Sequence, residues 1–110
     1  MALDALWTVA FQASAGWVNG GVIVLKSGHV FGGDSSRYYL GNFKAEGVRV
    51  NGELRLIQYF GQGPTAWGDY AAVVDARVAG EVGAGAITGQ VSRSGHPDLS
   101  FRMTRRAELP

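Results

Sequence analysis

Between Gly28 and Gly47 the chain reads GHVFGGDSSRYYLGNFKAEG, and few folds accommodate such a run. A short apolar strand, His29-Val30-Phe31, meets Gly32-Gly33-Asp34, where two residues without a Cβ let the backbone turn sharply. Beyond two serines the chain leaves as Tyr38-Tyr39-Leu40-Gly41-Asn42-Phe43, aromatic or apolar on both faces. A glycine in mid-strand, here Gly41, marks a bend or a close approach of another backbone. The run predicts a strand, a corner and a strongly curved second strand.

The rest of the chain follows the same grammar. Leu6–Gln12 alternates with Trp7, Val9 and Phe11 on one face, a period of two that predicts the first strand. Ala13–Gly21, small and glycine-rich around Trp17, is expected to be a broad loop. Val22–Leu25 is a second strand, and Lys26-Ser27-Gly28 a hairpin connection in which Gly28 supplies positive φ. The strand from Arg37 is expected to run to Val50, kinked at Gly47, because Asn51-Gly52 is the strongest two-residue hairpin signal present. Leu54–Phe60 is then a fifth strand, with Leu54, Leu56 and Phe60 alternating against Arg55, Ile57 and Tyr59. The stretch GQGPTAWG (61–68) breaks the pattern as a loop. Tyr70–Val78 is a sixth strand, 80–85 a glycine-rich turn region, Ala86–Ser92 a seventh strand, and Leu99–Glu108 an eighth with Leu99, Phe101 and Met103 inward.

Nowhere does a 3.6-residue period emerge, so the expected fold is all-β: a small antiparallel up-and-down barrel of about eight strands, with a sandwich as the alternative. Mid-strand glycines (Gly41, Gly89) and the Gly32-Gly33 corner favour closure. With 110 residues the chain is expected to form one domain over 1–110. Its 17 glycines lack a collagen-like period and fall between apolar runs. A net charge of +1 offers no strong field for nucleic acid or an acidic membrane. Without cysteine there is neither a disulfide framework nor thiol chemistry. MALDALWTVAF lacks a basic leader segment and no apolar run reaches membrane-spanning length, which makes the cytoplasm the default location.

Chemistry is sparse. The two histidines, His29 and His96, have no metal-binding spacing, and no nucleophile elbow is present. Asp34 is expected to cap the corner amides, with Ser35 and Ser36 bonding the local backbone. Asp75 and Arg77 form a candidate same-face ion pair. GAGAITG (83–89) has the wrong spacing for a dinucleotide fingerprint, and no cofactor is expected. The Arg102, Arg105, Arg106 cluster reads as a solvated edge or as a contact for an acidic partner. No enzyme activity is expected; loss of turnover on replacing His29 or His96 would argue otherwise.

The aromatic residues are more informative. Trp7, Phe11, Tyr39, Phe43 and Phe101, with Met103, either fill a barrel or surround one small apolar ligand, as in a lipocalin- or avidin-like carrier. Trp17, Tyr38, Leu40 and Val22 or Ile23 make several strands apolar on both faces, which burial of an outer face in a homodimer would explain.

In the W-T-V-A-F-Q strand (7–12), the G-x-V-F-G-G-D corner (28–34), the Y-x-G-x-F strand (39–43) and a last strand ending in basic residues, the chain resembles the GrlR-like family. That resemblance implies a lipocalin-like barrel, a bacterial cytoplasmic homodimer, and negative regulation, by analogy of type III secretion, through binding a transcription regulator protein rather than DNA. The acidic E-D-E-D run tied to partner contact in that family is absent; Lys44-Ala45-Glu46-Gly47-Val48 occupies the corresponding region.

Overall fold

Alternation places Trp7, Val9 and Phe11 on one face of β1 (Ala5–Ala13), and that face is buried in the computed structural model, which describes residues 3–13 and 16–110. Strands β2 (Gly16–Lys26), β3 (His29–Gly33), β4 (Arg37–Glu46), β5 (Arg49–Gln58), β6 (Val73–Gly83), β7 (Ala86–Ser92) and β8 (Leu99–Ala107) follow. Each pairs antiparallel with its neighbour in sequence, and β8 pairs back onto β1, so the sheet is a closed barrel and not a sandwich. Closure removes the unpaired edges that an open sheet would present.

The barrel's ends differ. At one end the connections are tight: Ser27-Gly28, Gly47-Val48 and Ala84-Gly85, each between directly paired residues. Ser27 and Gly28 both have positive φ, 51° and 82°, as a type I′ hairpin requires. Trp7 seals this end, its indole Nε1 donating to the Leu3 carbonyl at 3.1 Å. The longer connections, 34–36, 59–72 and 93–98, lie at the other end.

Several expectations are corrected. Asn51-Gly52 is not a turn; it lies inside β5, and the hairpin turns at Gly47-Val48, where Gly47 has φ 59°. A turn at Asn51-Gly52 would set Val50 beside Glu53 on one face. The observed register instead sets Tyr39 beside Leu56 and Phe43 beside Gly52, with Val50 and Leu54 on the same inward face. Apolar burial over a whole strand outweighs the preference of two turn residues. The expected loop at 13–21 is mostly strand: β2 begins at Gly16, and Trp17 pairs with Gln12. Residues 14 and 15 of that expected loop lie outside the described residues. Gly20 belongs in the strand because the Phe11 ring occupies the space a Cβ would take. β5 ends at Gln58, leaving Phe60 exposed, whereas β6 begins at Val73 and continues through the expected turn region to Gly83. Within that extension Gly80 leaves room for the Phe101 ring, 3.0 Å from where a Cβ would stand. Finally, Asp75 pairs with Arg55 at 2.8 Å, and Arg77 lies 3.9 Å from Glu53; both pairs run across strands rather than along β6.

Candidate functional site

The interior divides into two halves. Toward the tight-turn end, Val9, Ile23, Val30, Phe43, Phe101 and Met103 are among the residues around a residual space of about 40 Å³, little more than one water molecule. Toward the loop end lies a cavity of about 470 Å³, within the range of small-molecule sites. Its floor includes Phe11, Leu54, Val74, Ala76 and Val91, and its rim is built from 34–37, 64–68 and Pro97.

The polar wall comes from the organising corner. Asp34 Oδ1 accepts the backbone N–H of Ser36 and of Arg37, both at 2.8 Å, and the Ser36 hydroxyl at 3.3 Å. Its Oδ2 accepts the Tyr39 hydroxyl at 2.6 Å. Burial pushes the Asp34 carboxyl up, but the donors from Tyr39, Ser36 and Arg37 outweigh it and hold the group below the ordinary carboxylate range. Burial, then the adjoining Asp34 carboxylate, raises the Tyr39 phenol well above its usual value, so it remains a donor.

Arg37 is only 4% exposed and straps the long loop to the barrel. Its Nη1 donates to the Pro64 carbonyl at 3.3 Å, and its Nη2 to Gly63 and Ala71 at 3.0 and 3.2 Å. The same loop is tied to the 93–98 connection. Arg93 donates to both Asp69 oxygens at 2.6 and 2.9 Å, and Trp67 Nε1 donates to the Pro97 carbonyl at 2.7 Å. The Arg93 guanidinium stands 5.3 Å from the Trp67 ring centroid, completing an aromatic and charged clasp. Hydrogen bonds from Arg93 and Thr65 hold the Asp69 carboxyl far below its usual value.

All six candidate ligand-binding side chains are buried, but they are not brought to one place. Phe11 adjoins both spaces and Tyr39 the larger one, whereas Phe43, Phe101 and Met103 surround the smaller one and Trp7 adjoins neither. Sequence reasoning overlooked Arg37, Leu54, Thr65, Trp67, Val74 and Ala76. Arg37 had a legible signal: it shares parity with Tyr39, Gly41 and Phe43, so a strand that turns its aromatics inward turns Arg37 inward as well. The two histidines are at opposite ends of the barrel, His29 beside Phe31 and His96 against Trp67. Among the described residues no group of three His, Cys, Asp or Glu side chains converges.

The chain matches no protein-family model, and no curated protein matches it. Its GrlR-like features therefore rest on the motif residues themselves.

Proposed function

We propose that the chain is a non-catalytic binding protein that takes a small, mainly apolar molecule into the loop-end cavity. One observation carries this reading: the same barrel is packed to about 40 Å³ in one half and left with about 470 Å³ in the other. The larger space has an apolar floor of Phe11, Leu54, Val74, Ala76 and Val91 beneath a polar rim, a concave lining that suits a small apolar occupant. The experiment is displacement of a fluorescent apolar probe, alongside native mass spectrometry of protein taken directly from its expression host. Saturable binding that Ala76→Phe abolishes while thermal unfolding stays cooperative is the expected result. Absence of saturable binding to the unaltered protein overturns the reading.

A second reading concerns the outer surface. Val24, Phe31 and Leu40 are directly paired across β2, β3 and β4, and Tyr38, Ile57 and Val73 across β4, β5 and β6. Phe31 and Leu40 are 47% and 44% exposed. Adjoining apolar rungs on a barrel exterior support contact with another protein, and because the Arg55 and Asp75 that continue the Leu40 rung neutralise each other, the face suits a second copy of itself. With the GrlR-like resemblance, this supports a cytoplasmic homodimer that acts as a negative regulator through a transcription regulator protein, without touching nucleic acid or membrane. Light scattering tests it: Phe31→Lys with Leu40→Lys is expected to halve the mass of a dimer, and a monomeric unaltered protein would remove this reading.

A further inference from the structure

We infer that the molecule taken into the loop-end cavity is a flat, compact ring system, a small fused aromatic or heteroaromatic molecule, and that Phe11 is the residue that shuts out extended alkyl chains. The inference rests on the ligand-binding reading above and adds the shape class of the ligand and the residue that selects it.

In a closed barrel whose eight strands run in sequence order, strands four apart face each other, so β2 faces β6 and β1 faces β5. The cavity reaches from Val18 and Gly20 on β2 to Val74 and Ala76 on β6, which is the full width of the barrel. Downward it is stopped by a partition. Phe11 and Leu54, on the facing strands β1 and β5, border this cavity and also the residual space of about 40 Å³ beneath it. The Phe11 ring lies over Gly20, in the space a Cβ there would need, and the layer below is filled by Phe43, Phe101 and Met103. On the loop side, Ala66 and Trp67 from the 59–72 connection pack against the core and line the cavity from above. The space is thus wide and shallow, with one aromatic ring in its floor and another in its cover.

A space of that form discriminates by shape. An alkyl chain that cannot extend along the barrel axis must coil within the cavity and surrender rotational freedom at each bond, whereas a rigid ring system has no such freedom to lose. Aromatic side chains below and above favour a π-system between them. Headgroup chemistry has little to act on by comparison. The Asp34 carboxylate accepts four donors, Tyr39 spends its proton on Asp34, and both Arg37 Nη atoms are held by carbonyls.

The test compares 2-naphthol, decahydro-2-naphthol and decan-1-ol as competitors of Nile red, a probe excited in the visible where none of the competitors absorbs. All carry the same number of carbons and a single hydroxyl, and decan-1-ol has the most apolar surface, so apolar burial alone would rank it first. 2-Naphthol is expected instead to compete at a concentration at least about tenfold below decan-1-ol, with the puckered decahydro-2-naphthol between them. Phe11→Ala is expected to narrow that gap by admitting the chain into the lower half of the barrel. Decan-1-ol or decahydro-2-naphthol competing as well as 2-naphthol in the unaltered protein overturns the inference and leaves the apolar-ligand reading standing. A gap unchanged in a folded Phe11→Ala protein overturns the role given to Phe11. Failure of Nile red and of every competitor to bind removes both readings. Should Phe11→Ala fail to fold, Phe11→Leu, apolar but shorter, takes its place with the same expected direction.

Discussion

Gly52 sits in the middle of β5 with Phe43 opposite, and its importance lies in what surrounds it rather than in its backbone angles. A Cβ there would come within 2.5 Å of the Asn42 carbonyl oxygen and 3.1 Å of Val78 Cγ2. Gly52→Val is therefore expected to destabilise the protein by about 1–3 kcal/mol through overpacking, read as a lower midpoint in urea. The expectation of a turn also made this substitution harmful, for the different reason that valine resists positive φ. Gly52→Ala probes the same contact with the smallest side chain. Its single methyl meets the same oxygen, so it is damaging in the observed strand; an unchanged midpoint would mean that the Asn42 carbonyl yields readily. Arg37 teaches the same lesson from the other side. Its inward parity could be read along β4, but the three carbonyls that surround it come from a loop some 30 residues away, which no local pattern encodes.

At the scale of elements, turn chemistry and strand burial competed, with different outcomes in different hairpins. Ser27-Gly28 agrees with the register its flanking strands prefer, so the turn lies where local signals put it. Asn51-Gly52 conflicts with the register that buries Val50 and Leu54 together, and it became strand. The 59–72 connection was readable as a loop from Pro64 and its glycines, but not as a strapped one. Its hold on the barrel depends on Arg37 at one side and on the Asp69–Arg93 and Trp67–Pro97 contacts at the other. Arg93→Ala is expected to speed amide hydrogen exchange at 65–71 by at least about tenfold, leaving β1 and β8 amides unchanged, because local opening draws on few contacts. Exchange rising equally throughout the barrel would show that the clasp supports the whole fold and not the loop alone.

For the whole molecule, β1–β8 pairing makes stability a collective property, and the carboxylates at the loop end connect it to pH. Asp34 and Asp69 have folded-state carboxyls held below their ordinary values. The unfolded chain thus binds protons more readily, and the contribution of these groups is complete above the ordinary carboxyl value near pH 4 and lost as pH falls through the depressed ones. Tyr39 works in the opposite sense: its raised phenol contributes below an ordinary value near pH 10 and loses that contribution at higher pH. The melting midpoint is expected to owe little pH dependence to these groups between about pH 5 and 9, and to fall outside that window. Asp34→Asn should be less stable at neutral pH and show a shallower decline in acid; an acid limb identical to that of the unaltered protein would remove Asp34 from this account.

Much of the architecture was legible in one dimension. Alternation in 6–12, 86–92 and 99–107 marks inward faces because the side-chain period of a strand is set by its backbone, and glycine-punctuated short strands without a helical period imply a small closed sheet. The inward set Trp7, Phe11, Tyr39, Phe43, Phe101 and Met103 follows from the same rule. Only the tertiary structure decided that these residues do not form one pocket, that the hairpin turns at Gly47-Val48, and that the open space gathers at the loop end around Arg37. Those outcomes depend on register between strands and on loops folding back over a barrel mouth, where burial is shared among residues far apart in sequence and local preference is outvoted.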